Sequence, residues 1–117
     1  MLRIKRVYEA VDESDGVRFF VERLWPRGIR KEQFQAQAWL KDISPSADLR
    51  RWYAHDLNKW TEFQQRYRNE LAKNAAGSQP ILDAMAKGSV TLLYSAQDTE
   101  HNSALALKSF LEDSQKS

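Results

Sequence analysis

Apolar and polar residues follow the short period of a half-exposed strand over residues 2–8, where Ile4, Val7 and Tyr8 stand among charges. The same period returns where Val17, Phe19 and Val21 alternate with Arg18 and Glu22, and carrying it forward puts Arg23 on the apolar side. Between the two strands Asp12-Glu13-Ser14-Asp15-Gly16 reads as a turn. That link is shorter than the roughly one dozen residues of a parallel crossover, so the strands are expected to run antiparallel if they are neighbours. Trp25-Pro26-Arg27-Gly28 ends the second strand, because proline has no amide to give a ladder and glycine frees the next turn.

Beyond this loop, residues 31–36 suit a short helix and residues 38–43 a third strand, although so few residues also fit a helical turn. Ser44-Pro45 predicts a helix start leading into Leu49 and Tyr53, with a hydroxyl to cap free amides and proline in the first turn. Residues 58–74 carry Trp60, Phe63, Tyr67 and Leu71 at spacings of three and four, an aromatic stripe read as core. Ala75-Ala76-Gly77 is expected to close that helix, and residues 80–87 to form another that Gly88 stops.

Residues 90–94 are almost continuously apolar, as in a central strand buried on both faces with helices on each side. Residues 100–111 return to helical spacing, with Asp98 or Thr99 as cap, and residues 112–117 are expected to fray. The pattern as a whole predicts one α/β domain over residues 1–117, with a small mixed β-sheet of about four strands covered by helices.

Composition narrows the function classes. The chain has 117 residues, 42% hydrophobic and 29% charged, the balance of an ordinary globular domain. No apolar run approaches a membrane span, and the first residues lack the apolar centre of a signal peptide, so the expected location is cytoplasmic. The absence of cysteine excludes disulfides, thiolate catalysis and cysteine-based zinc sites. His55 and His101 show no recognised ligand spacing, and neither a metal nor a cofactor is expected. Eighteen basic against sixteen acidic residues give a net charge of +2, too little for a global field that draws nucleic acid. Charge matters only in local clusters, above all Arg23, Arg27, Arg30 and Lys31 around Trp25 and Gly28.

Three stretches carry candidate chemistry. Ser95 to Asn102 joins a buried strand to a helix start, the position at which open α/β sheets bind ligands. There His101 suits proton transfer near neutrality, while Ser95 and Asn102 offer donors and acceptors for orienting a ligand. Arg23 and Arg27 present planar forks for a carboxylate or phosphate, and Trp25 a ring for stacking. Each also has an architectural reading: Arg23 paired with a carboxylate, Trp25 in the core, His101 bonded to a neighbour. The third stretch is His55-Asp56, with Asp56 read as a helix cap.

These residues bring out a resemblance. Lys5-Arg6-Val7-Tyr8, Asp15-Gly16, Arg23-Leu24-Trp25-Pro26-Arg27-Gly28, Ser44-Pro45-Ser46, Leu49-Arg50 and Leu92-Leu93-Tyr94-Ser95-Ala96 followed by His101-Asn102 resemble the YeaO-like family of uncharacterised bacterial proteins, over nearly the whole chain. In the broader family an acidic-arginine-proline motif ends one strand, and a helix start can carry Cys-His-Arg. Here Glu22, Arg23 and Pro26 match the first loosely, while the second has no cysteine and Ser103 replaces its basic residue. The resemblance implies a fold, not an activity.

The residues themselves favour an enzyme that binds a small anionic ligand or nucleotide at strand ends, with Arg23 and Arg27 on the anion, Trp25 stacking, Ser95 and Asn102 orienting and His101 moving a proton. The alternatives are a nucleic-acid-binding module on the Arg23 to Lys31 surface and a protein-interaction domain using Trp52, Tyr53 and Trp60. A single site requires Arg27 and His101 to share one face.

Overall fold

The computed structural model describes residues 1–34 and 36–115. Among them four strands, β1 (Leu2–Arg6), β2 (Val17–Phe20), β3 (Ala38–Trp39) and β4 (Val90–Tyr94), form a sheet in the order β1-β4-β2-β3. The α-helices are α1 (Ala47–Tyr53), α2 (Trp60–Ala72), α3 (Ala75–Lys87) and α4 (Ser103–Gln115). This is the expected α/β class with β4 at the centre. Every pairing is parallel, however, in place of the mixed sheet predicted.

The expectation of an antiparallel β1 and β2 fails because they are not neighbours: β4 lies between them and pairs with both. The ten residues of the connection reach about 33 Å when extended. That exceeds the roughly 17 Å of a five-residue strand plus about 10 Å for two strand spacings, so a loop makes the crossover without a helix. Gly16 lets it land: its φ is +64°, and a Cβ there would stand 2.0 Å from the Ser89 carbonyl oxygen at the start of β4.

Alternation divides the core. Phe19, Val21, Leu92 and Tyr94 face the helices, where Phe63, Tyr67, Leu71, Ile81, Leu107 and Leu111 complete the main cluster. The aromatic stripe of α2 is therefore core, and the Tyr67 hydroxyl donates to the Ile43 carbonyl at 2.6 Å. Among the described residues, no α-helix covers the opposite face, against the expectation of helices on each side. Val7, Phe20 and Leu93 are sealed there by Ile29, Phe34, Ala36 and Trp39, carried mainly on loops. No helix among the described residues is long and apolar enough to cross a membrane.

Several element boundaries move for identifiable reasons. The predicted third strand shortens to β3, and residues 41–43 instead turn as 3-10 helix. Of the helix expected over 31–36, residues 31–33 are a 3-10 turn and Gln35 lies outside the described residues. Ser46, not Ser44, caps α1 by accepting the Leu49 amide, while the Ser44 hydroxyl donates to the Lys41 carbonyl. Ala75-Ala76-Gly77 opens α3 rather than closing α2, because Asn74 caps the Gly77 amide, and Pro80 sits exposed inside the helix. Gly88 ends α3 as predicted. The fraying expected at the end concerns residues 112–117; α4 continues to Gln115, and residues 116–117 lie outside the described residues.

Candidate functional site

Parallel strands place all their carboxyl ends on one edge of the sheet, and a cleft of about 520 Å³ opens there. Arg6 reaches it from the end of β1, Ser95 from β4, and Glu22 and Arg23 from the segment after β2. Arg50 and Tyr53 of α1 close one side, and His101 stands before α4. Arg27 and His101 thus border the same cleft, as a single site demands. Arg23, Trp25, Ser95 and Asn102 line it as well.

Their polar groups are engaged to different degrees. The Ser95 amide donates to Glu22 at 3.1 Å and its hydroxyl donates to the same carboxylate, tying the ends of β4 and β2 together. Asn102 is buried; its side chain donates to the Asp98 carbonyl at 3.0 Å and accepts the Leu105 amide at 2.8 Å, which makes it the cap of α4. The Asp98 carboxylate accepts from the Glu100 and His101 amides instead of capping the helix. Replacing Asn102 by alanine is expected to lower stability by about 1 kcal/mol; an unchanged urea midpoint and slope would show that the cap is dispensable.

Trp25 belongs to the aromatic cluster of the loop-covered face. Its ring centroid lies 5.0 Å from Phe34 and 5.3 Å from Trp39, and its Nε1 donates to the Ile29 carbonyl at 2.7 Å. His101 is oriented: Nδ1 is 3.1 Å from Asp98 Oδ2, and its ring meets Trp60 edge to face at 5.3 Å. Hydrogen bonds from the Glu100 amide and from His101 hold the Asp98 carboxyl below the usual carboxylate value, against the opposing effect of desolvation. Arg27 is exposed at the rim, where its carbonyl accepts the Tyr8 hydroxyl.

Three buried polar atoms in this lining have no hydrogen-bond partner among the described residues: Arg23 Nε, Arg50 Nε and the Tyr53 hydroxyl. Buried donors are almost always satisfied, and all three residues line this one cleft, which asks for an acceptor there. Tyr53 is 7% exposed; burial first, then the negative charges of Asp98 and Asp56, push its hydroxyl pKa up, and it remains a neutral donor. Four arginines, 6, 23, 27 and 50, line the cleft against one carboxylate, Glu22, which Ser95 already engages.

Sequence reasoning did not assign Arg50 and Tyr53 to this site. The available signal was an arginine three residues before a tyrosine on a helix whose Leu49 is apolar and buried. Nor do Trp52, Tyr53 and Trp60 form the exposed aromatic surface considered for protein contacts. Tyr53 is buried and stacks on Phe63 at 4.4 Å, Trp60 packs on Phe63 at 5.6 Å, and Trp52 lies under the Arg66 guanidinium at 4.2 Å. His55 lines the cleft from a left-handed turn, with φ of 57° after 48° at Ala54, and Asp56 caps the short turn that follows.

Comparison with known proteins covers the whole chain. The family model described as the inactive DUF488-N3 subclade matches residues 1–117. The chain is 39% identical over 110 residues to the uncharacterized protein YeaO of Escherichia coli (strain K12), covering 94% of this chain and 96% of that one. It is 47% identical over 75 residues to the uncharacterized protein Rv3073c of Mycobacterium tuberculosis (strain ATCC 25618 / H37Rv), 64% of each chain. No solved structure matches it.

Proposed function

This chain belongs to the inactive DUF488-N3 subclade, and on that footing we propose that it binds a small anion in the cleft at the strand ends. The observation that carries the reading is the set of three unpartnered buried polar atoms on Arg23, Arg50 and Tyr53. Two guanidinium forks and a neutral phenol are donors suited to phosphate or carboxylate oxygens. Arg27 adds charge at the rim, while Ser95 and Asn102 serve the site by holding its walls. Half-burial of Arg23 and Trp25 favours a small ligand over a nucleic-acid strand laid along the Arg23 to Lys31 surface.

The His101–Asp98 pair supports a second reading, in which the bound anion undergoes proton transfer at the imidazole. The description of the subclade as inactive favours binding without turnover. Calorimetric titration with inorganic phosphate and acetate at low salt tests the first reading: heat of binding and a rise in Tm with anion concentration are expected. The absence of both heat and a Tm rise with both anions would sink it. His101→Gln is expected to leave binding in place; turnover of a phosphoester by wild type that this variant loses would establish the second reading.

A further inference from the structure

We infer that the ligand is a phosphomonoester with a flat ring as its body, the phosphoryl group held by Arg23, Arg50 and Tyr53 and the ring lying against Tyr8. This rests on the anion reading above and adds the class of ligand. A cleft of about 520 Å³ falls within the range of sites for whole small molecules, so a bare ion would leave most of it empty. Its charge points the same way. Four arginines stand against one carboxylate; although Arg6 already donates to the Ser95 and Ala96 carbonyls, the excess positive charge suits a doubly charged group better than a single carboxylate. A phosphomonoester carries a charge of roughly −1.5 to −2 near neutrality and three strong acceptor oxygens.

The ring position follows from which phenyl, phenol or indole side chain in the lining is exposed; the exposed imidazole of His55 stands beside Tyr53, next to the phosphoryl position. Trp25 is packed against Phe34 and Trp39, and Tyr53 and Phe63 are buried against each other. Tyr8 is 49% exposed, yet it is held at two points: its hydroxyl donates to the Arg27 carbonyl at 3.0 Å, and the Arg6 guanidinium lies 5.1 Å from its ring centroid. A ring fixed in this way loses little freedom on stacking. Leu24, 70% exposed, and Pro26 extend the apolar wall beside it.

The test is calorimetric titration of the full chain with inorganic phosphate, phenyl phosphate, adenosine 5′-monophosphate and adenosine. The two ring-bearing phosphomonoesters are expected to bind about tenfold tighter than phosphate, within the range that base-on-ring stacking supplies. Adenosine, without the phosphoryl group, is expected to bind weakest. Tyr8→Ala should abolish the preference for phenyl phosphate over inorganic phosphate, lowering the affinity for phenyl phosphate by the larger factor, and Tyr8→Phe, which keeps the ring, should retain the preference. Equal affinity for phosphate and phenyl phosphate, or an equal loss for all probes in Tyr8→Ala, would overturn the ring assignment while the anion reading stands. If no phosphomonoester binds while phosphate or acetate does, the ligand class fails and the anion reading stands; if phosphate, acetate and every phosphomonoester fail to bind, both fail together.

Discussion

Replacing Arg50 by alanine is expected to weaken phosphate binding roughly ten- to hundredfold without lowering the stability of the unliganded protein. A hydrogen bond to a charged group contributes about 1.5–3 kcal/mol net, and each 1.4 kcal/mol is about a factor of ten in affinity. The stability half of the expectation comes from the same atom. Arg50 Nε is buried with no partner, so the unliganded protein bears its desolvation cost, and truncation relieves it. Stability given up at a site in this way is the usual trade-off for function. Calorimetry with phosphate and urea unfolding without it check the two halves. A variant that unfolds more easily yet binds phosphate as wild type would make Arg50 a structural arginine and leave the cleft without one of its anion donors.

The two arginines assigned to the anion, Arg23 and Arg50, were unequally legible in the sequence. Arg23 announced itself because strand alternation carried a charge onto an apolar side, a conflict visible in one dimension. Arg50 lies on a helix whose position against the sheet edge is set by tertiary contacts, among them Glu70 of α2 accepting the Ser46 amide at 2.9 Å and its hydroxyl at 2.6 Å. No local pattern encodes that placement.

Helix starts show the same divide. Ser44 and Ser46, or Asp98 and Asn102, are chemically equivalent as caps, and the choice falls to whichever side chain meets a free amide once the neighbouring strand is in place. The continuous apolar run of β4 told its central place directly, since both of its faces are buried whichever elements cover them. What covers them was not encoded there. Loops bearing Phe34 and Trp39 seal one face with aromatic side chains, and an apolar run reads the same beneath a loop or a helix.

Asp15→Asn is expected to lower stability by about 3–5 kcal/mol at neutral pH, the usual result of removing one charge from a buried ionic group. Asp15 is 2% exposed and its carboxylate pairs with Lys5 of β1 at 3.1 Å and with Arg18 of β2, while its carbonyl accepts the Thr91 hydroxyl of β4 at 2.8 Å. One loop residue therefore joins three strands on the face away from the α-helices, which makes it a specifying contact for the parallel order that the loop length alone did not reveal. Burial by itself would push the Asp15 carboxyl up; the Asp12 amide, Lys5 and Arg18 together outweigh it and hold the carboxyl below its ordinary value of 3.8. Because the folded value is the lower one, the stabilisation is complete above the unfolded value and is lost as pH falls through the folded one. Urea unfolding of wild type and Asp15→Asn from neutral to acid pH should show two curves that stand apart near pH 7, begin to draw together as pH falls below about 3.8, and meet only below the lower folded value, where the folded wild-type carboxyl also becomes neutral. A gap that does not change with pH would mean that Asp15 acts through its shape and backbone, and that the charges of Lys5 and Arg18 have no part in ordering the sheet.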